Sequence, residues 1–134
     1  MALEAERFLG ALKKEESCAT MITLSGDLGA GKTTFARALA RALGITENVA
    51  SPTFVIEKVY TLAGERWQRL VHIDAYRLKS ADELRVLDWE TLVNNPENLI
   101  VVEWPERVPE AIVAHAHRLS IEIGDEEERV IRYG

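Results

Sequence analysis

Cysteine is almost missing from this sequence: Cys18 is the single thiol among 134 residues. One thiol forms no internal disulfide and no Cys-based zinc site, and such usage suits a reducing compartment. Proline is scarce too, at four residues, and no stretch is rich enough in Pro, Gly or Ser to act as a linker. No repeat at a solenoid period is visible. Long apolar runs are lacking. The purest one, Leu99 to Val102, is far too short to cross a bilayer. The first twenty residues scatter Glu4, Glu6, Arg7, Lys13, Lys14, Glu15 and Glu16 among apolar positions, unlike the unbroken core of a signal peptide. A soluble, cytoplasmic protein is therefore expected. Basic charge is in deficit, with 16 Lys and Arg against 22 Asp and Glu, a formal charge of −6 and a pI near 5.1. This argues against gripping a bare phosphate backbone, which takes clustered cations, and against an anionic membrane surface.

What is present is an ordinary globular balance, 47% hydrophobic and 28% charged, in a length that suits one domain over residues 1–134. Leu3, Ala5, Phe8, Leu9 and Leu12 fall at helical spacing. Met21 to Ser25 reads as a short strand running into glycines. The stretch from Phe35 to Leu43 is dense in Ala and Leu and predicts a helix, closed by Gly44. Thr53 to Tyr60 and Trp67 to Asp74 read as strands of a hairpin turning at Ala63-Gly64-Glu65. Ser80 and Asp82 open a further helix, with Glu83 as a capping-box partner and Leu84, Leu87 and Leu92 on its apolar side. Leu99 to Val102 has the look of a strand covered on both faces. Leu119, Ile121 and Ile123 alternate with polar residues, Gly124-Asp125 turns the chain, and Val130 to Tyr133 returns.

The sharpest signal is Gly26-Asp27-Leu28-Gly29-Ala30-Gly31-Lys32-Thr33, which matches G-x-x-x-x-G-K-[ST] between a strand and a helix. Glycines let successive backbone N–H groups wrap phosphate oxygens. The helix start that follows favours the same anion. Lys32 can reach the β- and γ-phosphates, and the Thr33 hydroxyl can ligate Mg²⁺. The cradle runs over Asp27, Leu28, Gly29, Ala30, Gly31, Lys32, Thr33 and Thr34. The expected fold is α/β and P-loop NTPase-like: a central, mainly parallel sheet flanked by helices, with antiparallel strands added, including a C-terminal hairpin.

A phosphate loop of this type works with an acid at the end of a neighbouring apolar strand. Asp74 and Glu103 both qualify. Glu103 ends the more continuous apolar strand, and either could stand nearer the metal. Ser51-Pro52-Thr53-Phe54 reads equally as a switch-like segment presenting Thr53 or as a plain turn before a strand. His72, Asp74, Tyr76 and Arg77 form a compact polar set, with the first three expected on one strand face. Arg77 serves either to neutralise transition-state charge or to pair with a nearby acid. His115 and His117 lack a third ligand at suitable spacing. Trp67, Trp89 and Trp104 read as core residues, though Trp104 directly follows Glu103. Asp125 to Glu128 reads as a solvated hairpin tip.

Taken together, the loop from Gly26 to Thr34, Ser51-Pro52-Thr53-Phe54, His72-Ile73-Asp74-Ala75-Tyr76-Arg77-Leu78 and Val102-Glu103-Trp104-Pro105 resemble the TsaE (YjeE) family, in its order and near its spacing. The resemblance implies a small bacterial ATPase that hydrolyses ATP to ADP weakly by itself with Mg²⁺. It implies TsaB and TsaD as partners in placing the threonylcarbamoyl group on adenosine 37 of tRNAs that read codons beginning with adenine, with direct tRNA contact secondary or absent. By the same resemblance Lys32 holds phosphates and Thr33 binds Mg²⁺. Glu103 is the second metal-side acid, acting through water, Thr53 the switch threonine and Asp74 a residue needed for hydrolysis. The family often carries Glu-Thr near its N-terminus, with the Thr associated with the nucleotide base, and here Glu4-Ala5 stands in that place. Two other readings share the same loop: a small-molecule kinase, although no Arg-rich lid is visible, and a nucleotide-gated binding module. No N-K-x-D-like guanine motif appears.

Overall fold

The structure is a computed structural model that describes residues 2–27, 29, 31–46, 57–64, 66–123 and 129–133. Its helices are α1 (Ala2–Ala11), α2 (Lys32–Ala42) and α3 (Trp89–Val93), and its strands are β1 (Thr20–Ser25), β2 (Glu57–Thr61), β3 (Arg69–Asp74), β4 (Asn98–Glu103), β5 (His117–Ile123) and β6 (Arg129–Tyr133). The apolar run at 99–102 becomes β4, buried at every position. A strand covered on both faces belongs inside a sheet. β4 lies there, in the order β2-β3-β4-β1-β5-β6. β3, β4, β1 and β5 run parallel, and β2 and β6 join antiparallel at the two edges. The expected α/β architecture, with its added antiparallel strands and C-terminal hairpin, is the one observed.

Strand alternation sorts the core into two faces. Leu70, Leu99, Val101, Ile22 and Leu24 turn to the side covered by α1 and α2, where they meet Ala5, Leu9, Phe35 and Leu39. Met21, Val71, Ile73, Ile100 and Val102 turn the other way, against Leu84, Val108 and Ala111. By the same period, His72 of β3 and Glu103 of β4 belong to the α2 side.

Two helix ends show why the elements stop where they do. After α2, Gly44 takes φ +91°. The Gly44 N–H donates to the Arg41 carbonyl and the Ile45 N–H to the Ala40 carbonyl, both at 3.0 Å. This is the Schellman closure that the glycine predicted. α1 has no basic residue in its last turn. Arg66 supplies the charge from afar, donating to the carbonyls of Leu9 and Leu12, with its guanidinium stacked 4.4 Å from the Trp67 ring.

Three expectations change. The helix opened by Ser80 is a 3₁₀ segment, Ala81–Leu87, and Ser80 makes no side-chain cap. The Glu83 carboxylate accepts from the Lys79 N–H at 2.6 Å instead, so the capping box does not close. Asp88, at φ 55°, then separates this segment from α3. Ile123 does not share the core with Leu119 and Ile121, being 52% exposed. The β1 pairing ends at Ser25 opposite Ser120, so among the described strands the far end of β5 pairs with β6 alone. Finally, β3 ends at Asp74, so Tyr76 lies in the turn beyond the strand. The segment 51–56, the Gly124-Asp125 turn and the tip at 125–128 lie outside the described residues. Among the described residues no helix is long and apolar enough to cross a membrane.

Gly26, Gly29 and Gly31 all have positive φ, at 139°, 82° and 108°. At Gly26 the chain leaves β1 so close to β5 that a Cβ would lie 2.2 Å from the Ile121 carbonyl oxygen. At Gly29 a Cβ would meet nothing within 4 Å. Gly26→Ala is therefore expected to cost about 3 kcal/mol of stability or prevent folding, whereas Gly29→Ala costs about 1 kcal/mol from φ alone. Urea unfolding of the two variants checks the difference, and equal losses would contradict the close approach.

Candidate functional site

β1, β3 and β4 run parallel, so their C-terminal ends open on one edge of the sheet. Leu24 of β1 pairs with Glu103 of β4, and Asp74 of β3 pairs with the same Glu103. The loop after β1 and the two candidate acids are thereby brought level, although they are far apart in sequence. Parallel α/β sheets place their ligands at such an edge.

α2 begins at this edge. Gly31 is its N-cap and makes no side-chain cap, and the first turn holds no acidic residue. The opening amides of this eleven-residue helix thus receive no cap from their own N-cap residue, an arrangement suited to an anion. The Lys32 Nζ lies in the mouth of the loop, donating to the carbonyl oxygens of Gly26 at 2.6 Å and Asp27 at 2.8 Å. It also sits 4.1 Å from the centre of the Trp104 ring. Burial lowers the Lys32 pKa below its ordinary value, against the opposing pull of Glu103, Glu106, Asp27 and Asp74. Of the expected cradle, Asp27, Gly29, Gly31, Lys32, Thr33 and Thr34 are described, while Leu28 and Ala30 lie outside the described residues, as does Thr53.

Thr33 projects from α2 onto the end of β4, and its Oγ1 donates to Glu103 Oε1 at 3.0 Å. Glu103 Oε2 meets His72 Nε2 at 2.5 Å, and both side chains of that pair are almost wholly buried. Asp74 is used differently: its Oδ1 accepts from the Tyr76 N–H at 3.0 Å, shaping the turn after β3. Of the two acids, Glu103 therefore carries the contact to Thr33. A hydroxyl beside a carboxylate is a hard oxygen donor set, which fits Mg²⁺. Among the described residues no group of three or more His, Cys, Asp or Glu is placed to hold a metal ion. Mg²⁺ does not require one, because it keeps waters and takes substrate phosphate oxygens.

Two features were missed in the sequence. Trp104 is half-buried rather than core. Its backbone is left-handed at φ 61°, which for an aromatic residue costs on the order of 1–3 kcal/mol. Its N–H is tied to the Leu24 carbonyl at 3.2 Å, and the bend carries the indole over Lys32 and against Tyr76, with ring centres 4.8 Å apart. Arg107 adds its guanidinium 5.4 Å from the Tyr76 ring. The signal for this stack was the juxtaposition of Glu103, Trp104 and Pro105. The second feature is a cleft of about 310 Å³ between α1 and α2, lined by Ala2, Glu6, Thr34, Arg37, Ala38 and Arg41. Ala5 does not line it, being fully buried in the core. Trp67 is core as expected, and Trp89 is partly buried. His115 is exposed and His117 half-buried.

The buried carboxylate gives a stability test. Glu103→Ala strands the His72 and Thr33 groups that it now engages, and is expected to cost about 1–3 kcal/mol. Glu103→Gln, which still offers one acceptor oxygen, retains most of that. Equilibrium urea unfolding of the two variants against the parent checks the order.

With this geometry in place, comparison with known proteins is specific. The family model for "Threonylcarbamoyl adenosine biosynthesis protein TsaE" matches residues 2–131. A Streptomyces coelicolor protein named tRNA threonylcarbamoyladenosine biosynthesis protein TsaE is 43% identical over 113 residues, covering 82% of this chain and 74% of its own. Proteins of the same name from Haemophilus influenzae and Bacillus subtilis are each 36% identical, covering 75% and 84% of this chain. The chain spans 63% and 68% of those two relatives. The crystal structure of Bacillus subtilis YdiB superposes with a TM-score of 0.69 at 28% identity, over 99% of this chain and 79% of that one. The family match from end to end, the identity to these relatives and the shared fold agree, and the chain belongs to the TsaE family.

Proposed function

We propose that this chain is a cytoplasmic, single-domain P-loop ATPase that binds ATP and ADP with Mg²⁺ and hydrolyses ATP slowly. It acts in tRNA threonylcarbamoyladenosine formation, in support of a TsaB–TsaD pair that modifies adenosine 37. The observation that carries the ATPase reading is the convergence of Lys32, Thr33 and Glu103 at the end of a glycine loop and the start of α2. The family relatives support the pathway.

In this reading Lys32 exchanges the Gly26 and Asp27 carbonyls for phosphate oxygens, and the loop amides and the start of α2 hold the rest of the phosphate chain. The cleft beside Thr34 has room for the nucleoside end. Thr33 and, behind it, Glu103 would hold Mg²⁺, which would supply neutralisation of phosphate charge. Water attacks the γ-phosphorus in line, with Asp74 and Thr53 ordering it, and Lys32 stabilises the charge that spreads over the transferred group. The net charge of −6 suits docking on proteins, with any tRNA contact secondary.

Lys32→Ala is expected to weaken ATP binding roughly 100-fold in isothermal titration. Asp74→Asn is expected to bind ATP nearly as the parent does while losing about 100-fold in turnover. Parent-like turnover in Asp74→Asn would overturn its assignment, and no hydrolysis by the parent with or without the TsaB–TsaD pair would overturn the enzymatic reading. The lowered Lys32 pKa gives a pH test. Phosphates bind the charged ammonium, so affinity falls as the pH rises through the free-protein pKa, below the usual lysine value of about 10.4. Lys32→Arg, charged throughout, is expected to flatten that dependence when Kd is followed against pH.

A further inference from the structure

We propose that His72 is the positioning residue for Glu103: its Nε2–H holds Oε2 of the carboxylate so that Oε1 faces Thr33 and the metal side of the site. The proposal rests on the Mg²⁺-nucleotide reading above.

His72 lies in β3 between Val71 and Ile73, and all three are buried. It is 1% exposed. Its Nε2 meets Glu103 Oε2 at 2.5 Å, and among the described residues its Nδ1 has no hydrogen-bond partner. An ionised carboxylate only accepts, so the proton between them belongs to Nε2.

A buried polar side chain with one contact is a poor choice for stability alone. At such a position an apolar residue of similar volume packs as well, with no polar atom to satisfy. What His72 adds among the described residues is therefore found at its contact with Glu103. A Glu side chain reaching from a strand end has free torsions, and the position of each oxygen depends on them. Thr33 holds only Oε1. With Oε2 taken by His72, the carboxylate is gripped at both oxygens, from α2 on one side and β3 on the other. Register supports the grip. His72 pairs with Val101, two residues before Glu103 and on the same face of β4. The ring therefore lies along the line of the Glu103 side chain. Partners that orient a metal-side ligand in this way typically change metal affinity or activity 10- to 100-fold when removed.

The test uses three variants of the full chain. His72→Phe keeps the bulk and removes the donor. His72→Gln restores an N–H donor on a flexible chain. Glu103→Gln removes the carboxylate. First, ¹⁵N-histidine NMR of the nucleotide-free protein should show the Nε2–H tautomer of His72 with a downfield, slowly exchanging proton that moves upfield in Glu103→Gln. An Nδ1–H tautomer, or no response to Glu103→Gln, overturns the proposal. Second, Mn²⁺ binding to the complex with a non-hydrolysable ATP analogue is followed by electron paramagnetic resonance. The expected dissociation constant rises at least tenfold in His72→Phe and stays within about threefold of the parent in His72→Gln. Metal-free analogue binding is expected to be unchanged in both. Parent-like metal binding in His72→Phe, or an equal loss in both His72 variants, overturns it. Should His72→Phe fail to fold by circular dichroism, His72→Gln and the NMR result decide. If the parent shows no metal-dependent analogue binding at all, the Mg²⁺-nucleotide reading itself falls, and the metal-side role proposed for His72 falls with it.

Discussion

The structure turns on one buried carboxylate. Glu103 ends the central strand, is 2% exposed, and must be satisfied there or not ionise at all. Its two oxygens are met from two directions, by the Thr33 hydroxyl and by the His72 ring. That satisfaction requires α2 to lie across the α2 face of β4 and β3 to run beside β4 in register. The first helix after the glycine loop, the order of the parallel strands and the placement of His72 are all conditions for this one group. The demand for charge compensation and the apolar covering of β4 act together, because the packing excludes water from the site.

Around that carboxylate the charges are arranged against the overall acidity of the chain. Lys32 is drawn inward by two carbonyls and an indole, and burial depresses its pKa despite four acids that pull the other way. An ammonium in this position, with α2 starting beside it, concentrates positive charge locally in a protein whose net charge is −6. Trp104 links this centre to the surface. Its strained backbone places one aromatic face over Lys32 and sets the ring against Tyr76, itself 41% exposed.

How much could be read from the sequence differed from one part to another, for identifiable reasons. The apolar run at 99–102, the Ala- and Leu-rich stretch before Gly44 and the alternation at Leu119 and Ile121 became β4, α2 and β5, because burial on both faces, helix propensity and period-two patterning are local signals. The 81–87 segment was legible as helical but not as 3₁₀. Helical propensity and spacing do not distinguish the two closely related geometries over so short a segment. Alternation put Ile123 on one strand face with Leu119 and Ile121, yet it is 52% exposed, because the β1 pairing ends at Ser120. Alternation cannot say where the neighbouring strand stops.

The sequence by itself determined where the glycine loop stands, between a strand and a helix. Spacing dictates which backbone groups a strand–loop–helix unit can present, so Lys32 and Thr33 were named before any fold was known. It also marked Asp74 and Glu103 as strand-end acids and favoured the strand of Glu103 as the more continuously apolar, but left open which acid stands nearer the phosphate loop. Only the tertiary structure separated them, since strand order and register put Glu103 against Thr33 and turned Asp74 toward the Tyr76 amide. His72 was likewise one polar residue in a cluster until β3 paired with β4. The physical reason is the same in each case. Torsional preference and periodicity act over a few residues, whereas a contact between residues 33, 72 and 103 exists only once the sheet has closed.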